Sequence, residues 1–238
     1  MIDTHCHLLW RLDDGPTSPI ASVELARVLV EQGVETVLCT PHYSSRFPTQ
    51  PRSTHARFAD LRRSLGEVGV PLRVELAAEI ASKLALSVPI EELTARAIGS
   101  FVIVELEARA SPDAPVLVVE RLRGAGLTPI FAHPERCRAV RADPRPLDEA
   151  RRGGALVQVV ASSLVGRWGG DVAQAGWSLL ESGKADLLAS DAHTAGGSIR
   201  RLRETVDRVG VRYGREAAEA LTLRMPAKVL SLEPAGSY

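Results

Sequence analysis

Short runs of valine, isoleucine and leucine alternate along the chain with longer stretches whose apolar positions recur at helical spacing. That alternation predicts repeated β-α units around a parallel sheet. Seven runs read as strands: Met1–His5, Glu35–Thr40, Leu72–Ala78, Phe101–Glu105, Thr128–Ala132, Ala155–Val160 and Asp186–Ser190. They are mostly apolar on both faces, the pattern of a parallel strand covered twice. Helices are predicted near Ser22–Gln32, His55–Val68, Pro115–Ala125, Arg145–Arg152 and Val172–Ser182, and two more follow the last strand, near Ser198–Val209 and Arg215–Leu223. Gly33, Gly69, Gly126 and Gly183 each stand between a helix and a strand, where a left-handed cap is expected. The segment Tyr43–Ser53, with its prolines and hydroxyl residues, has no period and reads as an exposed loop able to gate access.

The composition narrows the class. A chain of 238 residues, 45% hydrophobic and 24% charged, is long enough to bury roughly 70–75% of its unfolded surface as one globular domain. Lysine plus arginine (29) balance aspartate plus glutamate (29), so no overall field points to nucleic acid or to an anionic membrane. Only Lys83, Lys184 and Lys228 are lysines; the other cations are arginines, donors suited to planar anions. No apolar window is long enough to span a membrane, and no signal segment opens the chain. Three cysteines, Cys6, Cys39 and Cys137, make no disulfide framework, and a cytoplasmic location is expected. Oligomeric state is not written in the sequence.

The chemistry lies at the strand ends. Asp3-Thr4-His5-Cys6-His7 closes the first strand, Thr40-Pro41-His42 the second, Glu79 the third, Glu105 the fourth, His133-Pro134-Glu135-Arg136 the fifth and Ser190-Asp191-Ala192-His193 the seventh. In a parallel barrel these ends open on one face, where residues distant in sequence converge. His5 and His7 share a side of an extended segment, and Asp191 and His193 repeat that spacing. Asp13-Asp14-Gly15-Pro16 is a turn signal close to the first histidine pair, so Asp14 is either a turn former or a ligand. Glu79 and Glu105 compete with Glu75 and Glu107 as the acids of their strands, and a buried carboxylate must be paired or metal-bound. Imidazoles and carboxylates without thiolates suit manganese, iron or zinc. Nine candidates, His5, His7, Asp14, His42, Glu79, Glu105, His133, Asp191 and His193, are too many for one ion and fit two or three. Clustered ions of that kind promote in-line displacement at phosphorus. Arg136 is either a phosphoryl donor or part of a solvated run with Arg138 and Arg141.

These motifs, in this order, resemble the polymerase-and-histidinol-phosphatase superfamily, and within it the bacterial protein-tyrosine phosphatases of capsule and exopolysaccharide loci. The resemblance runs from Met1 to about His193 and includes Ser163-Leu164-Val165-Gly166. It implies a distorted seven-stranded β/α barrel, TIM-barrel-like, with a trinuclear and often manganese-containing site. It implies one ion on His5, His7 and Asp191 with Glu79 as a bridge, a second on Glu79, Glu105 and His133, and a third on Asp14, His42 and His193. Arg136 would bind phosphate, metal-activated hydroxide would attack phosphotyrosine directly, and the substrate would be a tyrosine-phosphorylated protein such as a bacterial tyrosine kinase tail. Tyr43 stands where many relatives carry a second histidine, Glu105-Leu106-Glu107 lacks the usual aromatic and proline, and Ser198 stands where a second phosphate-binding arginine is expected. Arg200 and Arg201 are the nearest substitutes, Arg200 being the candidate.

Three other readings compete. Histidinol-phosphate phosphatase uses the same barrel and ions on a small substrate. A catalytically inactive metal-binding regulatory module would keep ligands without turnover, and a proofreading nuclease would need a basic groove, which the charge balance does not supply. A cysteine phosphatase needs five residues between thiolate and arginine; Cys39 and Arg46 have six between them, Cys6 and Arg11 four.

Overall fold

In the computed structural model, which describes residues 1–232, nine strands pair in parallel. They are β1 (Ile2–Cys6), β2 (Thr36–Cys39), β3 (His42–Tyr43), β4 (Arg73–Leu76), β5 (Glu79–Ala81), β6 (Phe101–Glu105), β7 (Thr128–Ala132), β8 (Leu156–Val160) and β9 (Leu187–Ala189). One sheet has the order β1-β2-β4, the other β3-β5-β6-β7-β8-β9. Helices cross over between the strands, as parallel pairing requires. The seven predicted strands are all present, and β6 and β7 match their predicted bounds residue for residue.

The two additional strands arise from interruptions. After β2 the chain meets Pro41, which has no N–H to donate, and β3 begins only at His42. Opposite this break, Ala78 donates its N–H to Arg96 O at 3.0 Å instead of to the neighbouring strand, and β5 resumes at Glu79. The register then sets His42 against Glu79, Glu79 against Ile103, and Ala81 against Glu105. Residues in register share a face, and Glu105 lies two positions past Ile103, so the three polar residues point to one side.

The first and last strands meet at their ends. His7 N donates to Ala192 O and Asp191 N to His5 O, both at 2.9 Å, and buried Asp3 accepts from Ser190 N at 3.0 Å. The helix Pro19–Glu31 starts at a Ser18 cap, with Pro19 at its first turn, where a missing N–H costs nothing. Gly33, Gly69, Gly126 and Gly183 have φ of 86°, 64°, 72° and 65°, the left-handed caps expected of them. Phe131, Leu29, Ile80 and Leu122 are fully buried in one apolar cluster, and Ile103 in a second with Ile2, Leu38, Ile130 and Leu187.

Three expectations change. The 43–53 segment is not a free loop: Tyr43 and Thr49 are buried, Arg96 packs over the Tyr43 ring at 3.6 Å, and the next helix begins at Pro51. The helix predicted near Ser198–Val209 is a 3-10 turn, Gly197–Arg201, followed by the helix Leu202–Tyr213. The helix predicted at Arg215–Leu223 passes into a π-helical stretch, Ala220–Arg224, and continues as Met225–Val229.

Candidate metal centre

Glu79 is the hub of the polar cluster. Fully buried at the start of β5, it has four imidazoles around its carboxylate: His133 Nε2 at 2.8 Å from Oε1, and His42 Nδ1, His5 Nε2 and His7 Nε2 at 2.9, 3.3 and 3.3 Å from Oε2. None of the three nitrogens near Oε2 approaches in hydrogen-bonding geometry, so that buried oxygen lacks a hydrogen-bond partner. His133 Nδ1 is a second buried atom without one. An orphaned carboxylate oxygen ringed by imidazole lone pairs is the arrangement that a cation, rather than a proton, completes.

Around one point the spacing is informative. His5 Nε2 is 3.2 Å from His7 Nε2, and Asp191 Oδ1 is 3.4 Å from each. Four ligands held tetrahedrally at ~2.0–2.1 Å from one ion would be separated by about 3.3–3.4 Å. The donors of His5, His7, Glu79 and Asp191 therefore fit a single divalent ion. A second group, Asp14, His42 and His193, adjoins it: Asp14 Oδ1 lies 3.3 Å from His193 Nε2 and 3.5 Å from His42 Nε2. Among the described residues the donors of His7, Asp14, His42 and His193 lie within 4.8 Å of one another, and so do those of His5, Glu79, His133 and Asp191. The donor atoms of His42, Glu79 and Glu105 form a third group able to hold an ion. All nine sequence candidates thus converge at the carboxyl ends of the strands.

Residues outside the nine fix the rings. Gln158 Nε2 donates to Thr4 Oγ1 at 2.8 Å, so its amide oxygen accepts from His5 Nδ1 at 2.7 Å. Asp13 Oδ2 accepts from His7 Nδ1 at 2.7 Å. Both imidazoles then carry their proton on Nδ1 and present Nε2 as a lone pair. Asp13, not only Asp14, is therefore what the acidic turn contributes. A side chain at Gly15 would come within 2.6 Å of His7 O, so only glycine lets the turn close there. Neither Gln158 nor the role of Asp13 was predicted; the signal for both was that a ligating histidine needs an acceptor for its other nitrogen.

The electrostatics follow from burial opposed by pairing. Burial raises the carboxyls of Glu79 and Asp191, but His5 and His42 around Glu79, and Arg136 and His7 around Asp191, outweigh it and hold both well below the usual range. Asp13 is likewise held at about 2, burial being overcome by His7 and by the N–H groups of His42 and Gly15. Burial lowers His5, His7 and His42, yet neighbouring carboxylates leave all three raised, His7 well above its ordinary value. Glu105 is raised by burial and by the Glu79 charge. His133 and Asp191 both have a left-handed backbone, φ 33° and 52°, a strained conformation that turns their side chains inward at the strand ends.

Arg136 sits beside the cluster rather than in a solvated run. Its Nη1 is 2.7 Å from Asp191 Oδ2, its Nη2 donates to Ser162 Oγ at 2.9 Å, and its guanidinium packs over Trp168. Arg200 is not brought to the site. It is exposed, with its guanidinium 4.0 Å from Glu31, because the 3-10 turn Gly197–Arg201 directs it to the neighbouring helix. Arg201 pairs with Glu204. The cysteines are buried and free, and burial pushes the Cys6 and Cys39 thiols up, away from nucleophilic character. A cavity of about 660 Å³ beside Glu135 and Asp171 includes none of the nine candidates among its lining residues.

Comparison with known proteins places nearly the whole described chain in one family. The family model described as capsular polysaccharide synthesis, CpsB/CapC, matches residues 1–231. Tyrosine-protein phosphatase YwqE of Bacillus subtilis is 28% identical over 225 residues, 93% of this chain and 89% of that protein. Tyrosine-protein phosphatase CpsB of Streptococcus pneumoniae is 24% identical over 97% of this chain and 98% of its own. A crystal structure from work on YwqE and CpsB, described as unique metal-dependent tyrosine phosphatases, superposes with a TM-score of 0.84 at 27% identity, covering 98% of this chain and 96% of the other. The histidinol phosphate phosphatase of Lactococcus lactis, at 14% identity and a TM-score of 0.59, shares the fold.

Proposed function

The chain belongs to the CpsB/CapC family of capsular polysaccharide synthesis, and from that premise we propose that it is a metal-dependent protein-tyrosine phosphatase acting on a tyrosine-phosphorylated protein of capsule or exopolysaccharide synthesis. The observation that carries the reading is the orphaned Glu79 oxygen among three imidazole nitrogens, within a cluster of nine donors and no thiolate.

His5, His7 and Asp191 would hold one divalent ion with Glu79 as bridge; Glu79, Glu105 and His133 a second; Asp14, His42 and His193 a third. Manganese suits this donor set, with iron or zinc the alternatives. Such ions, when bound, supply Lewis acidity and a water acidified toward neutral pH. The chain supplies the rest. Gln158 and Asp13 keep the protons of His5 and His7 on Nδ1. Arg136, steadied by Asp191 and Ser162, offers its remaining N–H groups to phosphoryl oxygens and stabilises charge as the leaving phenolate departs. No thiol stands among the donors, so a cysteinyl-phosphate route has no nucleophile there.

The kinase tail that drives polysaccharide export has the chemistry of such a substrate, and the three free cysteines favour work in the cytoplasm. β2 with β3, and β4 with β5, read as two interrupted strands, giving seven. The His5–Asp191 and His7–Ala192 hydrogen bonds then draw the two sheets into a distorted, TIM-like barrel.

The test is phosphate release from a phosphotyrosine peptide and from histidinol phosphate, by metal-stripped protein given Mn²⁺ and then chelator. Mn²⁺-dependent turnover of the peptide is expected. Turnover of histidinol phosphate alone would replace the proposed substrate, and turnover of neither would leave a metal-binding module.

A further inference from the structure

A second guanidinium stands at the mouth of the cluster, and the reading above does not use it. Arg167 follows the helix Ala161–Leu164 and lines, together with Arg136, Trp168, Asp191 and His193, a narrow cavity beside the proposed ions. The two arginines differ in what they already hold. Arg136 is engaged by Asp191 and Ser162, so its charge is largely balanced before any substrate arrives. Arg167 is exposed, and among the described residues its side chain has no carboxylate within 4.0 Å.

Arg167 is nonetheless held in place. Its N–H donates to Ser162 O at 3.2 Å, and Gly169 N donates to Gly166 O at 3.1 Å, closing a turn whose two glycines have φ of 78° and 97°. The Trp168 indole reaches Ser162 Oγ at 3.4 Å and packs between the two arginines, 4.4 Å from the Arg136 guanidinium and 5.7 Å from that of Arg167. Across the cavity the loop after His193 makes room. Gly197 has φ 67°, and a Cβ there would stand 3.2 Å from Arg167 Nη1. Ser198, which also lines the cavity, brings no charge.

Resting on the phosphatase reading, we propose that Arg167 is a phosphoryl-binding residue, whose unpaired N–H fork takes oxygens of the substrate phosphate opposite Arg136. A phosphate monoester carries up to two negative charges, and a planar fork can take two of its oxygens at once. Arg136 alone, neutralised by Asp191, meets only part of that charge. Trp168 is a positioning residue that holds the fork over the cavity.

The test uses the full chain loaded with Mn²⁺ and the variants Arg167→Ala and Arg167→Lys. Inorganic phosphate binding is read by calorimetry, KM and kcat with a phosphotyrosine peptide, and metal content by elemental analysis. Arg167→Ala should weaken phosphate binding and raise KM by about 10- to 100-fold, the loss expected for a charge-assisted hydrogen bond. Arg167→Lys should recover part of both, and metal content should equal that of the wild type. Unchanged phosphate affinity in Arg167→Ala, absence of phosphate binding by the wild type, or loss of metal from the variant would each overturn the assignment. If the wild type binds phosphate but hydrolyses no phosphotyrosine peptide, the phosphatase reading fails, and the calorimetric comparison still decides Arg167.

Discussion

His5 Nε2 and His7 Nε2 lie 3.2 Å apart, each pinned from behind at Nδ1, one by Gln158 and the other by Asp13. Two lone pairs that close repel, and the adjoining carboxylate oxygens of Glu79 and Asp191 add to the negative potential. The cluster is satisfied by extra protons or by cations, and its behaviour should report which of the two it holds.

Removing a donor should empty the centre without unfolding the chain. Asp191→Ala and His5→Ala are each expected to lose bound Mn²⁺, and with it at least ~100-fold in kcat/KM, since even the partners behind metal ligands are worth 10- to 100-fold. Elemental analysis and circular dichroism check this together. Near-wild-type turnover in either variant would sink the ligand assignment.

Gln158→Leu tests the ring behind the ion. The variant keeps every proposed ligand but removes the acceptor that holds the His5 proton on Nδ1. Mn²⁺ affinity should fall by about 10- to 100-fold, while saturating metal restores most of kcat. Equal affinity would mean that His5 orients itself.

The metal-free protein should weaken as pH rises. His5, His7 and His42 have folded values raised above the ordinary 6.5 by neighbouring carboxylates, which outweigh burial. A raised folded value means stability present in full below 6.5 and lost as pH climbs through the folded values. Glu79 and Asp191 are shifted the other way, so their contribution is present above their ordinary 4.5 and 3.8 and is lost as pH falls through those values toward the lower folded ones. With chelator, Tm should therefore fall as pH rises above about 6.5. With Mn²⁺, which binds the deprotonated ligands, the gap between the two curves should widen with pH. A metal-free Tm that rises over this range would contradict the pairing.

Arg136 and Arg200 should separate cleanly. Arg136→Ala removes both the phosphoryl donor and the partner of Asp191, and a loss of about 2–4 kcal/mol in transition-state binding is expected. Arg200→Ala touches only an exposed pair with Glu31 and should leave kcat/KM as it was. Steady-state kinetics on both variants decide between them.

Most of the candidates were legible because they stand where an apolar run ends, and period-two spacing put His5 with His7 and Asp191 with His193 on common faces; Asp14 was legible only as part of a turn. The strand interruptions were less so. Pro41 signals one break, but the diversion of Ala78 N to Arg96 O depends on a contact no local pattern encodes. The same limit hid Gln158, whose value lies in bridging Thr4 and His5 more than 150 positions away along the chain. Arg200 was offered as the arginine nearest Ser198 in sequence, but the 3-10 turn Gly197–Arg201 leaves it facing Glu31. Arg167 was overlooked although it directly follows Ser163-Leu164-Val165-Gly166, because its place in the cavity depends on the fold setting its side chain against Gly197.

The junction of β1 with the chain after β9 also sets the order of events at the ribosome. His5 and His7 are synthesised almost at once, yet Asp191, the donor proposed to share their ion, emerges some 180 residues later. Nascent chains therefore pass through a long interval in which the first histidine pair can be taken only by an incomplete coordination sphere. Selection of a cation would then fall to the finished protein, in which Asp191 Oδ1 stands 3.4 Å from both imidazoles.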